Sequence, residues 1–310
     1  MQRFTRRVFG GVVVAALSFG PATAQTIQEA DWCVSSWYTA EQRIKGCTAV
    51  LQSGRSSHVN RAVAFNNRGS FYSLSGDHDR ALRDLDQAVH LIPSNATFRA
   101  NRGQAYSRKG DQDRAIADFD EALQLAPGLS LAYGGRGTAY LLKGAHDRAI
   151  VDLNKSIELE PRSAGLFVNR GQAYIERRAL DRAISDLDEA IRLDPNQSDF
   201  YAVRGHAYFL KRGYNQAITN FNQALNLNPY NAQALARRGI TQVMLGRYLL
   251  AIADLDAALQ IAPDKAGPLF ARGVAKLRIG DRHGGTSDTS AARALDPGVE
   301  TRFAGYGLRI

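Results

Sequence analysis

Residues 102–127 read RGQAYSRKGDQDRAIADFDEALQLAP, and this stretch decides the fold. It opens on an Arg-Gly pair and closes on a proline. Small and apolar residues recur at spacings of three and four on both sides of Lys109-Gly110-Asp111, the period of an amphipathic helix. The second stripe, through Ala115, Phe119, Ala122 and Leu123, spans roughly Asp113 to Leu125. Gly110 suits the end of one helix and Asp111 the start of the next. Pro127 cannot continue a helix. The stretch is therefore expected to fold as two helices joined by a tight turn.

The same elements return every 34 residues. Arg-Gly stands at 68–69, 102–103, 136–137, 170–171, 204–205, 238–239 and 272–273. Proline keeps the same step at Pro93, Pro127, Pro161, Pro195, Pro229, Pro263 and Pro297. Tyrosine follows the first five of these glycines by three, at Tyr72, Tyr106, Tyr140, Tyr174 and Tyr208. Alanine follows by twelve from Ala81 to Ala251, and leucine or phenylalanine by sixteen, as at Leu85 and Phe119. Two residue types each holding one step across seven positions exclude chance spacing.

These positions resemble the tetratricopeptide repeat (TPR), whose glycine, tyrosine, alanine, aromatic and proline order they match. Units 62–95, 96–129, 130–163, 164–197, 198–231 and 232–265 match well, and 266–299 only in its first half. The resemblance implies an all-α protein, a right-handed α-solenoid (superhelix) of helix-turn-helix TPR hairpins. Neither helix of a hairpin can bury its stripe alone, so neighbours share one core. The expected organisation is a leader over 1–24, a degenerate N-terminal capping hairpin over 25–61, six repeats over 62–265, a degenerate seventh over 266–299 and a tail over 300–310. Gly285, Thr286 and Thr289 make the last second helix polar, as a solenoid terminus requires.

The N-terminus reads as an export signal. Arg3, Arg6 and Arg7 precede a short apolar core from Val12 to Phe19 and an A-x-A site at Ala22-Thr23-Ala24. That core is too short to span a membrane. Thr5-Arg6-Arg7-Val8-Phe9 also resembles a twin-arginine motif, and the two export routes stay open. Two cysteines, Cys33 and Cys47, suit a disulfide in an oxidising compartment. The expectation is an exported, periplasmic protein of a Gram-negative bacterium, with no integral membrane segment once the signal is removed.

Charged residues are 22% and hydrophobic residues 45%, which fits an ordered chain and excludes a disordered one. The formal charge is +9, but the arginines are spread by the repeat, with no basic run for nucleic acid. An aspartate recurs sixteen residues after each Arg-Gly arginine, with Asn220 as the exception. Arg102 with Asp118, Arg136 with Asp152 and Arg170 with Asp186 are thus read as structural ion pairs, because a buried guanidinium needs a partner. The acid pairs Asp118/Asp120, Asp186/Asp188 and Asp254/Asp256 recur too often to be catalytic. No metal-ligand spacing, nucleophile elbow or phosphate loop occurs. The sequence therefore gives no catalytic residue, no metal and no cofactor.

In the family the first helices line the inner groove. By that resemblance, Asn66, Asn67, Asn101, Gln104, Arg108, Asn169 and Gln172 form a polar track that can hold a peptide backbone. Leu141, Phe209 and Met244 form apolar anchor points further along. Lysines of the kind that clamp a carboxylate in some members are missing. The expected partner is a protein or extended peptide held by an adaptor. The alternative is a self-associating spacer or a trans-acting regulatory subunit of an envelope enzyme.

Overall fold

A computed structural model describes residues 31–35, 37–54 and 56–310; the leader expected over 1–24 lies outside them. Among these residues every regular element is a helix. The chain divides into two compact units, Met1–Pro161 and Arg162–Ile310. The first holds α1 (Ala40–Gln52), α2 (His58–Leu74), α3 (His78–Leu91), α4 (Ala96–Lys109), α5 (Gln112–Leu125), α6 (Ser130–Leu142) and α7 (His146–Leu159). The second holds α8 (Ala164–Glu176), α9 (Leu180–Leu193), α10 (Ser198–Leu210), α11 (Tyr214–Leu227), α12 (Ala232–Met244), α13 (Tyr248–Ile261), α14 (Ala266–Arg278), α15 (Arg282–Leu295) and α16 (Val299–Gly305). From α2 to α15 the helices pair into hairpins that stack within each unit.

The hairpin turns follow from the sequence. Asp77 and Asp111 cap the second helices, accepting from the backbone N–H of Arg80 and Arg114 at 3.0 and 3.1 Å. Gly110 takes a left-handed φ of 92° that only glycine adopts freely. In the fourth and fifth repeats the same position is Arg178 (φ 59°) and Arg212 (φ 63°). A side chain there costs about 1 kcal/mol. Arg212→Gly is therefore expected to stabilise the protein by about that amount, against a small entropic loss. Urea unfolding checks it; a lower midpoint would show that the arginine makes a compensating contact.

The core lies between and within hairpins. Phe71, Phe98 and Phe119 are fully buried in the first unit, and Leu187, Phe221, Leu255 and Phe270 in the second. The Arg-Gly glycine lets the two helices of a hairpin meet. A Cβ on Gly69 would fall 2.8 Å from Leu85 Cγ and 2.9 Å from the Ala81 carbonyl oxygen.

The arginine beside that glycine holds both its own hairpin and the next. Arg102 Nε and Nη2 donate to Asp118 at 2.8 and 2.6 Å, while Nη1 reaches Asp86 of the preceding hairpin at 3.0 Å. Arg136 does the same with Asp152 at 2.7 and 2.8 Å and with Asp120 at 2.5 Å. Arg170 clamps Asp186 at 2.8 and 2.6 Å. Arg272 takes Asp288 and Asp256. The paired carboxylates thus divide their work: Asp118 faces its own hairpin's arginine and Asp120 the following one. Asp118 is buried, and burial raises its pKa despite Arg102.

The ends depart from the repeat. The described part of the N-terminal cap is one full helix, α1, with a helical turn over 31–34, rather than a complete hairpin. The Cys33–Cys47 disulfide joins the two, both cysteines buried against Val50, Ala64 and Phe71. Trp32 meets Tyr38 edge-on at 6.1 Å, but Trp37 is 90% exposed and takes no part in the staple. In α15, Thr289 fits its buried position by donating to the Gly285 carbonyl at 3.0 Å.

Candidate interaction wall

Within each unit the first helices touch one another in succession, α2–α4–α6 and α8–α10–α12–α14. Among the described residues no second helix touches another second helix in this way. The first helices therefore line the inside of the bend. Across their seam Asn101 Nδ2 donates to Asn66 Oδ1 at 2.8 Å, and Arg108 Nη1 to Ser73 Oγ at 3.3 Å. Gln104 lies between Asn101 and Arg108 on that face, partly buried, and Arg108 is exposed. Leu141 is partly buried and the adjoining Leu142 is 62% exposed. In the second unit Asn169 and Gln172 hold the corresponding positions on α8, both partly buried.

Several residues expected on the open wall are inside. Asn66, Asn67 and Asn101 are buried. The disulfide-held turn covers the start of the track: Asn67 Nδ2 donates to the Cys33 carbonyl at 3.3 Å, and Asn66 Nδ2 to Asn67 Oδ1 at 3.0 Å. Asn66 and Asn67 thus spend their amides on each other, on Asn101 and on the cap.

Phe209 and Met244 are also not open anchors, because the chain's own C-terminus lies on them. After α15 the chain turns through α16, burying Val299, Phe303 and Leu308. Tyr306 sets its ring 5.5 Å from Phe209, edge-on, and packs with Ile240 and Met244. Phe303 meets Phe270 at 5.1 Å, and Arg278 Nη2 donates to the Arg309 carbonyl at 3.1 Å. The tail thus lies across the C-terminal ends of α10, α12 and α14.

Beside it a cleft of about 720 Å³ opens between α12, the start of α14 and α16, lined by His206, Arg237, Ile240, Phe303 and Tyr306 among others. Burial pushes the Arg237 pKa down to about 10, offset in part by Tyr306 and Glu176. Burial, with the charges of Arg237 and Arg178, pushes the His206 pKa down to about 3. An unfolded imidazole takes its proton near pH 6.5. His206 therefore supports folding fully above pH 6.5, and that support fades as the pH falls toward 3. His206→Gln is expected to make the acid loss of stability shallower between pH 6.5 and 3. Urea midpoints across that range check it; an unchanged slope would place the imidazole in water.

Arg237 and His206 were missed in the sequence, although a signal was there. Arg237 keeps the 34-residue step of Asn67, Asn101 and Asn169, and His206 that of Gln104 and Gln172. Among the described residues no three metal-ligating side chains gather. No described helix is long and apolar enough to cross a membrane.

Stacked hairpins with an inner wall of first helices define a helical-repeat scaffold. Models of the tetratricopeptide repeat match residues 75–130 and 136–198, and a further TPR repeat model matches 205–246. Together these span just over half of the chain, which belongs to the tetratricopeptide repeat family, whose members mediate protein–protein and protein–peptide interaction. No curated relative matches it. Among solved structures, one from the APC/C hetero-tetramer Cut9-Hcn1 is 18% identical with a TM-score of 0.70. It covers 87% of this chain, which spans only 52% of that one. A tetratricopeptide repeat protein from Parabacteroides merdae is 18% identical, TM-score 0.61, over 81% of this chain and 98% of its own. PilF of Pseudomonas aeruginosa is 19% identical, TM-score 0.59, over 69% and 98%. These likenesses establish the fold.

Proposed function

We propose that the protein is an exported periplasmic adaptor whose first-helix wall holds an extended segment of a partner protein. One observation carries the reading: within each unit the first helices alone touch in succession, and in the first unit their face offers the partly buried Gln104 with Arg108 and Leu142, exposed in one register. Amide side chains can donate to and accept from a peptide backbone, and a rigid wall lowers the cost of ordering it. The leader-like N-terminus and the buried disulfide support an oxidising compartment outside the cytoplasm. The paired acids are taken up by the arginine ladder, which leaves no reaction to assign to them.

Fractionation of the tagged full-length protein tests the location, and retention in the cytoplasm would overturn it. A crosslinking pull-down from the periplasm tests the wall. Gln104→Ala with Gln172→Ala is expected to reduce partner yield, and equal recovery of the same partners would contradict the assignment.

A further inference from the structure

We propose that the cleft between α12 and α16 receives an acidic side chain, Asp or Glu, flanked by an apolar residue of the bound segment. The inference rests on the wall as a peptide-binding surface and says what that surface reads in the second unit.

The argument starts from two consecutive arginines on α12. Arg238 is fully engaged, with Nε and Nη2 on Asp254 at 2.7 and 2.6 Å and Nη1 on Asn222 at 2.8 Å. Arg237 lines the cleft instead and makes no ion pair or side-chain hydrogen bond among the described residues; Glu176 acts on it only through space. A guanidinium brings five donors and cannot shed its charge at neutral pH. Partly shielded from water and without a hydrogen-bonded counter-charge, it carries a desolvation cost that an incoming anion offsets. The acids at the cleft do not meet this need: Asp296 is taken by Arg302, and Asp264 is exposed at the rim. The depressed pKa of Arg237 fits a cation whose burial outweighs the through-space charge of Glu176.

The walls specify the rest. Phe303, Tyr306, Ile240 and Ala236 give the cleft an apolar and aromatic lining beside the cation. His206 is neutral and can donate one N–H to a carboxylate. A carboxylate planted on Arg237 thus gains charge-assisted hydrogen bonds in a partly dry site, and its apolar neighbour covers the rings. The 34-residue register places Arg237 where earlier hairpins carry Asn67, Asn101 and Asn169. Within the second unit, the register that carries Asn169 on α8 therefore carries a cation on α12.

The test uses the full mature chain and two dye-labelled, end-blocked peptides, Ala-Leu-Glu-Phe-Ala and its Glu→Gln counterpart, read by fluorescence anisotropy. The Glu peptide is expected to bind roughly 10- to 100-fold more tightly, the range for a hydrogen bond to a charged group. Arg237→Met keeps the packing stem and removes the charge. It should abolish the preference while leaving the circular dichroism unchanged and the urea midpoint equal or higher. Arg204→Met, an arginine already paired with Asp188, serves as the contrast and should retain the preference if folded. Equal binding of the two peptides, no binding of either at millimolar concentration, or an unchanged preference in Arg237→Met overturns the proposal. A lower midpoint in Arg237→Met overturns it as well, because it would reveal a structural partner. A tighter grip on the free-acid, unblocked Gln peptide than on the blocked Glu peptide would assign the cleft to a chain end and likewise reject the acidic side chain. If the pull-down still depends on Gln104 and Gln172 while these tests fail, the wall stands and only the acidic specificity falls.

Discussion

Asp118→Ala is expected to lower the unfolding free energy by about 3 kcal/mol, at the lower end of the range for breaking a buried pair. The reason is what the substitution leaves behind. Asp118 accepts two hydrogen bonds from Arg102, and both side chains are largely shielded from water, with 6% and 20% exposed. Without the carboxylate the guanidinium keeps only Asp86, which is half exposed. The pair itself is expected to stabilise little: burial raises the Asp118 pKa even beside Arg102, while the hydrogen bonds to Asp118 raise that of Arg102, so attraction and desolvation largely offset each other. Replacing both partners, Arg102→Met with Asp118→Leu, is therefore expected to cost much less than Asp118→Ala alone. Asp118→Asn should also be mild. The protein makes that exchange itself at Asn220, whose Oδ1 accepts from Arg204 Nε at 2.7 Å. Urea unfolding of the four proteins decides it. A double substitution as damaging as the single one would mean the pair contributes more than its burial costs.

Ending the chain at Gly298 is expected to remove about 5 kcal/mol of local stability. Val299, Phe303 and Leu308 lose their burial, at about 1.5–3 kcal/mol each before the entropy recovered by the missing segment. In a stacked-repeat protein the loss falls on the nearest hairpin. Hydrogen exchange should therefore rise in α14 and α15 and stay unchanged in α2 to α5. The truncation also bares Phe209, Ile240 and Met244, so a hydrophobic dye should bind more strongly. Unchanged exchange in α14 would mean that α16 is not packed on Phe270.

The repeat was legible because one physical rule recurs at fixed spacing. Gly69, Asp111 and Pro127 each report a local constraint, and the 34-residue step shows that all hairpins share it. The clamp of Arg102 on Asp118 was readable for the same reason. Its second half was not: the Arg136–Asp120 link joins neighbouring hairpins, and a period alone does not say which neighbour a side chain reaches. The wall was least legible. Asn66, Asn67, Phe209 and Met244 stand at positions the repeat leaves open, but the non-repeating ends of the chain cover them. Cys33 and Tyr306 carry no periodic signal that would place them there. Arg237 was overlooked because its neighbour Arg238 belongs to the repeat and absorbed the reading.

The wall can be tested where it is open. A photo-crosslinking residue at Gln172, on α8, should join the full-length protein to a partner in cells, while the same residue at Val151, exposed on the second helix α7, should not. Crosslinks from Val151 but none from Gln172 would contradict an adaptor that binds through its first helices.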